Sequence, residues 1–98
     1  MEFFEEAFRL KAKIQQERVN LVRNELALAF TFLDFAKVTP ELEIRRRNVN
    51  AARKAYGEVA RLLAAEFDCG EWDRAHLESS LSRLKARLDE ERVTPSGV

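Results

Sequence analysis

This 98-residue chain has little of what cross-links or interrupts a fold: one cysteine, two prolines and three glycines. A single cysteine rules out an intramolecular disulfide, so the chain fits a reducing cytoplasm. Three scattered glycines form no phosphate-cradling loop, and one histidine offers no Ser/His/Asp set at a telling spacing. The chain lacks an excess of either charge, because 17 basic residues meet 17 acidic ones. That balance removes the electrostatic footprint of a general nucleic-acid binder or of a protein held on anionic lipid. No apolar run approaches the ~18 residues of a membrane span, and "MEFFEEAF" is acidic where a signal peptide needs a basic start. A single cytoplasmic domain is expected, with one modest core.

What the sequence has is helix. No glycine or proline occurs from residue 1 to 39, and the stretch is rich in Ala, Leu, Glu and Arg. "KVTPELE" reads as a boundary, with Thr39 as N-cap, Pro40 at the first helical position and Glu41 in the first turn. "EFDCGEWD" reads as another, where Asp68 and Glu71 are spaced like a variant capping box. "RVTPSGV" ends the pattern, since a residue before proline is pushed out of helical geometry. The punctuation predicts an all-α fold, a three-helix bundle spanning 1–93 with helices near 2–37, 40–67 and 70–92. Residues 94–98 are expected to be a flexible tail.

The apolar spacing predicts how the helices pack. In "NELALAFTFLDFAKV" (24–38), Val22, Leu26, Phe30 and Leu33 fall on one helix face, and Leu21, Leu28, Phe32 and Phe35 on a second. The second face runs back to Ile14, Leu10 and Phe3. Helix 2 carries a seam of Leu42, Val49, Tyr56, Leu63 and Phe67 and a smaller one of Ile44, Ala51, Ala55 and Leu62. Helix 3 has a single narrow stripe, Leu77, Leu81, Leu84 and Leu88, which suits a lid over a hairpin of helices 1 and 2. The shared core is expected to contain Leu26, Phe30, Leu33, Val49, Tyr56, Leu63, Leu81 and Leu84. Helix 1 is longer than helix 2, so its first two turns overhang with Phe3, Phe4 and Phe8. The far end of the hairpin is expected to gather Phe4, Phe8, Phe67 and Trp72.

Within helix 2, "NAARKAYGEVARLL" resembles the second helix of a tetratricopeptide repeat, with Ala52, Tyr56 and Ala60 at the packing positions. The resemblance implies an α-helix packed antiparallel on a first helix. Helix 1 has no Trp-x-x-Leu-Gly-x-x-Tyr pattern and the chain has no 34-residue period, so no peptide-groove residues carry over. As a whole the chain is similar to small helical proteins of bacterial genomes.

Few residues carry chemistry. Cys69, Asp73 and His76 stand four and three apart on one helix face, a ligand-like set that lacks a second cluster to close a site. The expectation is no metal and no cofactor. "RRRN" at 45–48 opens the one basic concentration, whose outward members are Arg46, Arg47, Arg53, Lys54 and Arg61. The terminal Ser96-Gly97-Val98 has the Ser-x-Val form that strand-adding grooves accept. One narrow leucine stripe cannot cover two wide apolar faces and an aromatic overhang, and surplus apolar surface marks an interaction site. The sequence therefore points to a non-catalytic helical interaction or oligomerisation module. It would bind itself or a helical partner through Phe3, Leu10, Ile14 and Leu21. In a two-fold antiparallel pairing Ile14 is expected near the axis, with Lys11 and Arg18 opposite Glu17 and Glu25 of the other copy. The alternative is a regulatory protein that binds nucleic acid or an acidic partner through the basic face of helix 2.

Overall fold

The structure, a computed structural model, describes residues 2–65 and 69–93. It consists of three α-helices, α1 (Glu2–Val38), α2 (Leu42–Ala64) and α3 (Glu71–Val93), with no strand among the described residues. The all-α three-helix bundle read from the sequence is the fold observed. Two boundaries of helix 2 differ: it starts two residues later than residue 40 and ends at Ala64, where Ala65 is already extended. Asp68, the proposed cap of helix 3, lies outside the described residues, as do Phe67 and the tail 94–98.

The turn between α1 and α2 works by different chemistry from the capping expected of Thr39 and Pro40. The Thr39 hydroxyl donates to the Phe35 carbonyl one turn back (2.7 Å), so Thr39 closes α1 instead of opening α2. Arg45, one turn into α2, donates to the carbonyls of Ala36 and Thr39 (3.2 Å each), which the end of α1 leaves without helical partners. Glu41 occupies the N-cap position of α2 without a side-chain hydrogen bond. The same device recurs at the other end of α2, where Arg74 of α3 donates to the Leu63 carbonyl (3.0 Å). Each of these two helix ends is thus tied to the element that follows it.

α2 runs back along α1, and α3 lies over both in the same direction as α1. Arg23–Asp73 (2.7 Å) joins α1 to α3 near the start of α3, and Asp34–Arg87 (2.8 Å) joins them further on. Arg87 also lies over the Phe30 ring, 5.7 Å from its centroid. The core comprises Val19, Val22, Leu26, Ala29, Leu33 and Ala36 of α1, Val49, Ala52, Ala55, Val59 and Leu63 of α2, and Leu77, Leu84 and Leu88 of α3. Of the expected core residues, Leu26, Leu33, Val49, Leu63 and Leu84 are buried, while Phe30, Tyr56 and Leu81 pack partly buried against them. Leu42, expected in the helix 2 seam, is exposed, because it occupies the first turn of α2 beside the hairpin bend. The buried stripe of α2 passes between the two seams read from the sequence and is centred on Ala52 and Val59. Because α2 touches α1 on one side and α3 on the other, the side chains facing between them are the ones that lose water. Ala29, Ala36 and Ala52 in this core let the backbones approach closely.

The molecule is a rod, 67 × 20 × 17 Å. Its radius of gyration is 17.2 Å, against ~13 Å for a compact domain of this length. The excess is the N-terminal half of α1. No residue from Phe3 to Arg18 is buried, and the core begins at Val19. The overhang is therefore about four turns long, twice the expectation, because α2 ends before it can run back beside these residues. For the same reason Phe4, Phe8 and Trp72 do not form an aromatic plug at the hairpin end. All three are at least two-thirds exposed. Phe3 and Phe4 meet edge to face at 6.0 Å, and the Trp72 ring lies 4.0 Å from that of His76.

Candidate protein-interaction face

α1 has two apolar faces, and the bundle uses one. Val19, Val22, Leu26, Ala29, Leu33 and Ala36 alternate steps of three and four residues and are buried. About a third of a turn away, Ile14, Leu21, Leu28 and Phe35 recur every seven residues, preceded by Phe3, Ala7 and Leu10, and this outer seam is open to solvent. The exposed fractions are 76% for Phe3, 59% for Leu10, 41% for Ile14, 58% for Leu21, 48% for Leu28 and 55% for Phe35. A seven-residue repeat of this kind is the pattern of a helix that pairs with another by knobs into holes. Asn24, Glu17 and Thr31 interrupt the seam with polar groups, which in paired helices set register and partner choice at some cost in stability.

All four residues expected to bind a partner, Phe3, Leu10, Ile14 and Leu21, thus lie exposed on one continuous face. The structure extends that face by two residues, Leu28 and Phe35. The sequence reading places both on the second apolar face of helix 1, with Leu26, Phe30 and Leu33 of the first face expected in the core, but it names only Phe3, Leu10, Ile14 and Leu21 as the partner-binding residues. Phe32, between the seams, is half-buried against the core.

Other candidate groups are dispersed or already engaged. Arg46, Arg47, Arg53, Lys54 and Arg61 are all exposed on α2, with Arg47 held to Glu43 at 3.4 Å. Arg45 leaves the basic run altogether, since its guanidinium caps α1. Asp73 pairs with Arg23 and the His76 ring stacks on Trp72, while Cys69 is half-buried as a free thiol. Among the described residues no group of three His, Cys, Asp or Glu side chains is placed to hold a metal ion. Between α1 and α3 an open cleft of about 540 Å³ is lined by Arg23, Phe30, Trp72, His76, Ser80 and Arg83, among others. Arg23 and Arg83 in it are spent on Asp73 and Ser80. No described helix is long and apolar enough to cross a membrane. No family model, curated protein or solved structure matches the chain.

Proposed function

We propose that this protein is a non-catalytic, cytoplasmic docking module whose working surface is the outer seam of α1. One observation carries the reading: an apolar seam of heptad spacing runs the length of a 37-residue helix and faces solvent along all of it. Soluble monomers rarely leave contiguous apolar surface of this extent uncovered, and a single helical stripe is complementary to another helix. The basic face of α2 offers no comparable concentration, for the chain carries no net charge and Arg45 is engaged in the hairpin turn.

The test compares Ile14→Glu, Leu21→Lys and, as a control on the basic face, Arg53→Glu. Association is followed by sedimentation of the chain alone and by co-purification with a tagged chain from its native host. The two seam variants should abolish association in whichever assay shows it while keeping the far-ultraviolet helical signal, and Arg53→Glu should leave it intact. An 11.4 kDa monomer that retains its associations in both seam variants overturns the reading.

A further inference from the structure

Resting on that reading, we infer that the partner is a second copy of this chain. The two copies lie antiparallel, outer seam to outer seam, about a two-fold axis level with Val19. Val19 is also where the bundle begins, so the axis divides α1 into a bare part, 3–18, and a slightly longer bundled part, 20–38. Antiparallel pairing lays each bare half along the exposed flank of the other copy's bundle. The bulk of each molecule then sits at opposite ends, free of the other. The axis lies five residues beyond Ile14, the position read from the sequence, because it follows from where the core starts.

The register matches residues whose numbers add to 38. Phe3 then meets the partner's Phe35, Leu10 meets the partner's Leu28, Ala7 meets the partner's Thr31 and Ile14 meets the partner's Asn24. Beside the seam, Phe4 comes against the partner's Phe32 and Lys11 against the partner's Glu25, an opposite-charge contact made twice by symmetry. At the axis Glu17 and Arg18 of both copies assemble two charges of each sign. Like charges meet where Arg18 faces the partner's Arg18 at the axis, with Glu17 of each copy beside them, and where Glu6 faces the partner's Asp34, twice by symmetry; Asp34 is already neutralised by Arg87 of its own chain at 2.8 Å. The same register sets Leu21 against the partner's Glu17. A parallel, in-register pairing would match Ile14 and Leu21 with their own copies, but it stacks Glu17 on Glu17 inside the seam, sets Lys13 beside Arg18 and brings the two bundles side by side.

The area suffices. Phe3, Phe4, Leu10, Ile14, Leu21, Leu28 and Phe35 are between 41% and 76% exposed. At ~200–240 Å² for a whole side chain of this size they present on the order of 900 Å² per copy. Covering two-thirds of it buries about 1,200 Å² in the pair, above the ~1,000 Å² that a specific interface requires. Closed two-fold pairing is also the commonest way such a self-complementary surface is satisfied.

Disulfide trapping tests the direction and register. Leu10→Cys and Leu28→Cys chains, each in a Cys69→Ser background and each checked for helicity, are mixed and mildly oxidised. The expected product is the mixed Leu10→Cys/Leu28→Cys disulfide, in excess of either homodisulfide. A second arm reverses charges on the otherwise unaltered chain. Lys11→Glu and Glu25→Lys should each weaken the dimer roughly three- to tenfold in sedimentation, and the double variant should restore it. Homodisulfides formed through Leu28→Cys would mean parallel pairing. That overturns this arrangement and leaves the docking function standing. A monomer in sedimentation that forms no disulfide overturns self-pairing, and the co-purification of the seam variants then decides the docking function separately.

Discussion

Arg45 and Arg74 show at the residue scale how little a charged run tells on its own. Within "RRRN" three arginines are equivalent by composition, yet one of them reaches across the hairpin turn and satisfies two carbonyls. Arg45→Met keeps the stem and removes the donors, so it should destabilise the fold by ~1–2 kcal/mol in urea unfolding. Arg46→Met, on the exposed face, should change stability by less than ~0.5 kcal/mol. Gly57 lies inside α2, and a Cβ built there meets nothing within 4 Å. Gly57→Ala should therefore raise stability by ~0.5–1 kcal/mol, measured as a higher denaturant midpoint with unchanged slope. That a glycine falls inside helix 2 follows from the sequence; its freedom from neighbours is known only from the structure.

At the element scale α3 behaves as the narrow leucine stripe implies. Leu77, Leu84 and Leu88 are buried and Leu81, on the edge of the stripe, is half-buried. Leu84→Ala should cost ~2–5 kcal/mol and Leu81→Ala about half as much, both by equilibrium unfolding. Leu63→Ala belongs with the former, since Leu63 closes the stripe on α2. Helix identity was legible throughout, because long stretches free of glycine and proline with Ala, Leu and Glu leave few other options. Helix ends were less so, for a Thr-Pro pair can start one helix or finish another, and side-chain bonding to Phe35 decided for the latter. Trp72 is two-thirds exposed beside His76, away from Phe4 and Phe8 along α1. Deleting residues 1–8 should leave its emission maximum where it is, and a red shift would restore the aromatic plug at the hairpin end.

On the scale of the whole molecule, the rod shape exposes about half of α1 to water with nothing packed on it. A lone helix of about sixteen residues is marginal in water, so under the proposed pairing the bare half would take its order from the partner. Amide hydrogen exchange should therefore show residues 3–18 protected at concentrations where the chain associates. The same amides should exchange fast in the Ile14→Glu variant, while Leu26, Ala52 and Leu84 keep the protection of the bundle in both. Equal protection of residues 3–18 in the two proteins would separate the order of α1 from association.

The fold class and the existence of two apolar faces on α1 follow from the sequence alone. Helical periodicity and the scarcity of breakers are local properties, and 3.6 residues per turn sorts Leu26 from Leu28 without reference to any neighbour. The face left open was decided by tertiary structure. Leu26 and Leu28 are chemically the same and two positions apart, yet one is 3% exposed and the other 48%. Which of them meets solvent depends on where α2 and α3 land, and that depends on non-local packing: the hairpin turn tied by Arg45, the anchoring of α3 by Arg74 and Arg23, and the close approach that Ala29, Ala36 and Ala52 permit. The length of the overhang was settled in the same way, by α2 stopping at Ala64 and leaving the first half of the seam without cover.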